Sequence, residues 1–89
     1  MRRNENSPAT ETLRFSATDV TETMTVDVDV RRDVPAGVVT RSIAHDLALP
    51  RGLYALRDDS SVYLDEDRPI GEQVSPDARL TVTPRTHLG

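Results

Sequence analysis

The sequence predicts an α+β domain: a mixed sheet of four or five strands with one helix lying across it. Three stretches carry that expectation. From Met24 to Arg31, the residues Met24, Val26, Val28 and Val30 alternate strictly with Thr25, Asp27, Asp29 and Arg31, giving a strand with one apolar and one polar face. Ala36, Val39, Ile43 and Leu47 then follow at steps of three, four and four, the spacing that aligns side chains along one side of a helix. Near the end, Leu80 and Val82 alternate with Arg79, Thr81 and Thr83 in a second β pattern. A helix with one apolar stripe and a sheet with one apolar face bury each other in the α+β layer arrangement. The Met24–Arg31 and Arg79–Thr83 segments are expected to lie side by side beneath the helix.

Residues 1–11 are polar, show no period and contain Ser7-Pro8, so they read as a flexible N-terminal tail. Thr12 to Ala17 forms a short first strand with Leu13, Phe15 and Ala17 inward. Asp19 to Thr23 makes the turn into the second strand, although it contains no glycine. Asp27 and Asp29 repel each other on the wet face of that strand, which calls for a cross-strand arginine, with Arg14 the candidate. Pro35 suits the first turn of a helix. The helix is expected to run from Ala36 to Leu49, stopped by Pro50 and Gly52, with Thr40, Arg41 and His45 off its apolar stripe. Leu53–Arg57 and Val62–Leu64 read as the third and fourth strands, around a turn at Asp58–Ser61. Asp65–Ile70 is a charged loop, and Ile70 and Val74 are apolar plugs at the edge of the core. A turn at Ser75–Ala78 precedes the last strand, Arg79–Thr83, and Pro84 stops regular pairing on one side. The folded domain is thus expected over residues 12–84, with 85–89 as a flexible C-terminal tail.

Eighty-nine residues make one small domain, able to bury only about 60–65% of its unfolded surface. No cysteine is available for a disulfide or a thiolate metal site. The start, MRRNENSPATE, lacks the apolar region of a secretion signal, and no apolar run approaches the ~20 residues of a membrane span. A soluble, cytoplasmic monomer is the expectation. All 11 basic residues are arginine, and with ten Asp, ten Thr and ten Val this points to a GC-rich or salt-adapted, halophilic source. The absence of lysine leaves the α-amino group of Met1 as the single amine in the chain, so lysine-linked chains cannot be built on it. A net charge of −4 and three aromatic residues argue against nucleic-acid binding, which uses basic stripes and stacking platforms.

Catalytic and metal-binding patterns are weak. His45 and His87 are the only histidines, and no metal site or cofactor is expected from them. Ser42, His45 and Asp46 are close in sequence but lack an oxyanion pocket, so they read as a surface polar cluster. Asp65-Glu66-Asp67 lacks the ligand spacing of a calcium loop and reads as a solvated turn. There is no glycine-rich phosphate loop. An enzyme is not expected.

The order of elements, together with several residues of the last third, resembles ubiquitin and its small prokaryotic relatives over roughly Thr12 to Gly89. Leu64 matches the core leucine before ubiquitin's acidic loop, Asp67-Arg68-Pro69-Ile70 looks like its Gly-Arg-Thr-Leu, and Val74 fills the next core position. Leu80-Thr81-Val82-Thr83-Pro84-Arg85 runs in register with Leu-His-Leu-Val-Leu-Arg. The resemblance implies a β-grasp fold and work through protein partners. As a protein modifier or a sulfur carrier, such a chain would present Gly89 as the site of activation and conjugation, and Arg85 to an adenylating activating enzyme. A third reading is a non-covalent regulator with an inert end. Two departures stand out. The family's terminal Gly-Gly is Leu88-Gly89 here, and ubiquitin's apolar recognition patch is thinned, with Thr83 replacing a valine and Ala55 or Tyr54 replacing an isoleucine.

Overall fold

Strand β1 (Thr12–Asp19) and strand β2 (Thr25–Arg31) form an antiparallel hairpin in the computed structural model of the chain, which describes residues 11–85. Residues 1–10 and 86–89, including most of both expected tails, lie outside the described residues. The hairpin register sets Leu13 opposite Val30, Phe15 opposite Val28 and Ala17 opposite Val26 on the inner face. Arg14 faces Asp29 on the outer face, with Nη2 to Oδ2 at 3.2 Å, the cross-strand arginine that the paired aspartates call for. Both side chains are largely exposed, so this pair contributes about 0–1 kcal/mol.

The chain then enters α1 (Ala36–Asp46), whose stripe of Ala36, Val39 and Ile43, continued by Leu47, is buried against the sheet. Burying side chains such as Val39, Ile43 and Leu47 stabilises by roughly 1.5–3 kcal/mol each. Two strands follow, β3 (Tyr54–Arg57) and β4 (Arg79–Pro84). Between them a single 3-10 turn, Ile70–Glu72, brings Ile70 into the core beside Val74; both are buried, deeper than plugs at its edge. The sheet order is β2-β1-β4-β3, with β1 and β4 parallel and the other pairs antiparallel. One helix on a mixed four-stranded sheet is the α+β architecture that the sequence predicts.

The pairing of strands differs from expectation: β2 and β4 are not neighbours, because β1 lies between them. Burial explains the exchange. Leu13, Phe15 and Ala17 of β1 are almost fully enclosed, as suits a central strand, whereas in β2 only Val28 is buried and Val26 and Val30 are half-covered. β2, with its two outward aspartates, is an edge strand. Met24, expected inward, lies in the turn before β2 and is 45% exposed.

Three further local expectations are corrected. Val62–Leu64 makes only an isolated bridge, Arg57 with Tyr63, so no strand forms there. Thr40 is buried rather than outward, its hydroxyl donating to the Ala36 carbonyl at 2.8 Å, which removes the cost of enclosing it. The helix ends at Asp46 rather than Leu49 because Ala48 turns left-handed at φ 56. The Leu49 N–H then donates to the Ala44 carbonyl and the Ala48 N–H to that of His45, each at 3.0 Å. This Schellman arrangement satisfies two terminal carbonyls, so the helix closes before Pro50 is reached.

Candidate interaction site at the end of the last strand

Arg85, the residue that the resemblance assigns to recognition, stands where β4 ends, beside the N-terminus of α1. Its backbone N–H donates to the Leu53 carbonyl at 2.8 Å, continuing the β3–β4 ladder by one step. Its guanidinium pairs with the Glu66 carboxylate, and both side chains remain about two-fifths exposed. Gly89 and His87 lie outside the described residues.

Glu66 is fixed from three directions. The Asp65 carboxylate accepts the Asp67 N–H at 3.0 Å, and the Asp65 carbonyl accepts the Arg68 N–H, so the acidic run is a side-chain-closed turn. Gln73 clips that turn: its amide oxygen accepts the Asp65 N–H at 2.7 Å, while its amide nitrogen donates to the carbonyls of Asp65 and Arg68. The same loop caps α1. With Pro35 as N-cap there is no side-chain cap; instead Gly37 N–H donates to the Glu66 carbonyl and Ala36 N–H to that of Arg68, each at 3.0 Å. Gly37 permits this approach, since a Cβ there would stand 3.2 Å from Glu66 Cβ. A parallel device holds the other flank, where Ile70 N–H donates to Val34 and Gly71 N–H to Arg32.

Beside this corner runs a groove of about 380 Å3 between α1 and residues 49–54. Thr40, Arg41 and Ala44 supply one wall, and Leu49, Leu53 and Tyr54 the apolar side. The Tyr54 hydroxyl donates to the Pro50 carbonyl at 2.6 Å and pins the 50–53 loop over the strand. Leu53, expected at the start of a strand, precedes β3 and is 73% exposed. The sequence reading missed this groove. The Pro50–Gly52 break marked its loop, but nothing local told that Leu53 would face solvent.

The outer sheet face gives a different surface. Tyr54 packs against the core, so Ala55 is the residue that pairs with Thr83 on the outer face, and both are buried. Arg57 Nε donates to Thr83 Oγ1 at 3.4 Å. At this point the face carries small and polar groups in place of an apolar patch. His45 is exposed at the groove's rim, with Nδ1 3.8 Å from Asp46 Oδ1. Among the described residues no group of three or more His, Asp or Glu could hold a metal ion, and no helix is long and apolar enough to cross a membrane.

No protein-family model matches the chain, and neither does any curated protein. Solved structures do. A chain of a toluene 4-monooxygenase complex superposes with TM-score 0.71 at 17% identity, covering 83% of this chain and 99% of that one. The ubiquitin of Caldiarchaeum subterraneum gives 0.70 at 12% identity, with 84% and 95% covered. A ubiquitin-like domain from Arabidopsis thaliana gives 0.68 at 14% identity, with 96% and 89% covered. The parallel pairing of the first and last strands, the helix across the sheet and these superpositions agree: the chain has the ubiquitin-like β-grasp fold.

Proposed function

We propose that the protein acts through protein–protein contacts made at the end of β4, and that it is attached to other proteins through Gly89. The observation that supports this reading most directly is the setting of Arg85. It is tied by its backbone to Leu53 and by its side chain to Glu66, yet it keeps a half-exposed guanidinium four residues before Gly89. A residue so anchored presents a fixed charge to an activating enzyme while the residues after it reach that enzyme's site. In the first step the Gly89 carboxylate attacks the α-phosphate of ATP, forming an acyl-adenylate and releasing pyrophosphate. An amine of the acceptor protein then displaces AMP to give an amide; a sulfur donor in its place gives a thiocarboxylate.

The experiment is incubation of the full chain with ATP and an adenylating enzyme of the ubiquitin-activating class, with intact-mass analysis of the protein from cell extracts. Pyrophosphate exchange that fails with Arg85→Ala, together with Gly89 linked to a lysine amine, supports the modifier. A sulfur-for-oxygen mass gain favours the carrier. A second reading is a non-covalent subunit of a larger complex. It is favoured by the bulk of Leu88 next to Gly89 and by the match to a chain of a monooxygenase complex over 99% of that chain. It predicts no adenylate, and co-purification that survives removal of residues 86–89.

A further inference from the structure

Three arginines gather on one side of an acidic protein. The chain holds 15 acidic and 11 basic residues, yet Arg41, Arg51 and Arg85 line the groove beside α1, against the single carboxylate of Glu66. Glu66 is already engaged by Arg85, and among the described residues neither Arg41 nor Arg51 forms an ion pair. Within this cationic rim, Leu53 is the most exposed of the large apolar side chains described. It is held there by the bond from Arg85 N–H to its carbonyl and by the Tyr54 hydroxyl on Pro50.

We propose that this groove docks a short segment of a partner protein in which an apolar side chain is flanked by aspartate or glutamate. The inference rests on the protein-contact reading above and names the chemistry of the partner. An apolar anchor covers Leu53 and the Tyr54 ring, the contact that supplies most of the free energy. The flanking carboxylates meet Arg41 and Arg51, which steer the approach and fix orientation more than they add affinity. A volume of about 380 Å3 lies at the small end of the ~300–1,000 Å3 range of binding pockets, which suits one anchor rather than a folded surface. Nucleic acid fits less well, since Tyr54 is the only Phe, Tyr or Trp side chain lining the groove.

The test pans a displayed library of random peptides of about twelve residues against the full chain, the length of a groove-binding segment of a few turns or one strand. Enriched peptides should carry an apolar residue beside Asp or Glu, and in NMR titrations should shift Arg41, Ala44, Leu53 and Tyr54. The Leu53→Asp variant and the double variant Arg41→Glu/Arg51→Glu should each weaken binding by about tenfold or more, and the wild-type affinity should fall with added salt. These side chains are exposed, so unchanged melting temperatures establish that both variants are folded. Enrichment of basic peptides, shifts confined to the outer face of β1 and β2, or no enrichment over empty beads overturns the proposal. So does concentration-dependent self-association that perturbs Leu53, or equal shifts from a single-stranded oligonucleotide. Peptides that bind elsewhere on the molecule sink the groove assignment while leaving the protein-contact reading in place; pyrophosphate exchange tests that reading independently.

Discussion

Asp19 organises the β1–β2 turn with its own carboxylate. It accepts the Thr23 N–H at 2.9 Å and the Met24 N–H at 3.3 Å, and the hydroxyls of Thr21 and Thr23 at 2.9 and 3.0 Å. Partial desolvation pushes the carboxyl upward, but the four hydrogen bonds together prevail and hold it below its ordinary value of 3.8. A depressed folded-state value stabilises the protein above the unfolded one, and that contribution disappears as pH falls through the lower value. Urea melts of wild type and Asp19→Asn should therefore differ at about pH 6 and converge towards about pH 2. A gap that stays constant would show that the charge has no part in the turn. Asp58 repeats the device, accepting the N–H groups of Ser60 and Val62 at 2.9 Å, and in both turns the third residue after the aspartate is left-handed: Glu22 at φ 58 and Ser61 at φ 66. This is why neither turn needs a glycine, and the aspartate that opens each turn was the local signal for it. Ala48, left-handed at φ 56, lacks such support. Ala48→Gly should raise stability by about 1 kcal/mol, read as a melting temperature higher by roughly 4–8 °C.

Among the elements, the 65–73 loop ties the start of α1 to the end of β4. Gln73 holds the turn, the turn caps α1, and Glu66 meets Arg85. Gln73→Ala should cost about 0.5–1.5 kcal/mol in chemical denaturation, because it removes the hydrogen bonds that close the loop while water takes up the exposed groups. Faster amide exchange at Ala36 and Gly37 should accompany it, and unchanged exchange there would refute the link from clip to helix cap. On the opposite flank a Cβ at Gly71 would stand 2.5 Å from Arg32 Cβ. Gly71→Ala should destabilise by about 1–3 kcal/mol, measured the same way. Little of this was legible in the sequence. Helix spacing and strand alternation are local and were readable from Val39, Ile43, Leu80 and Val82. The Gln73 clip, the Glu66–Arg85 pair and the exposure of Leu53 depend on residues brought together by the fold. Thr40 was misread for a related reason: a threonine that bonds to its own helix can be buried without any polar neighbour.

For the whole molecule, the core is a single layer between one helix and one face of the sheet, so it has little reserve. Val28 is the one buried residue of the edge strand β2 and lies opposite Phe15. Val28→Asp should leave no cooperative melt, because an unpaired buried charge consumes a large share of a ~5–15 kcal/mol total. A cooperative transition near the wild-type temperature would count against the core as described. The fold class was recoverable from periodicity because burying an apolar stripe allows few layer arrangements. Which strands are neighbours was not, since alternation marks the apolar face of a strand but not its position in the sheet.

The parallel β1–β4 pair carries one further consequence. β4 follows the other three strands in the chain yet occupies an interior position, between β1 and β3. Synthesis therefore produces a hairpin, a helix and an isolated strand before anything can bridge them, and each exposes apolar side chains while it waits. A nascent chain halted before Arg79 should remain sensitive to protease along its length. Release of the next six residues should convert it, in one step, to a resistant form.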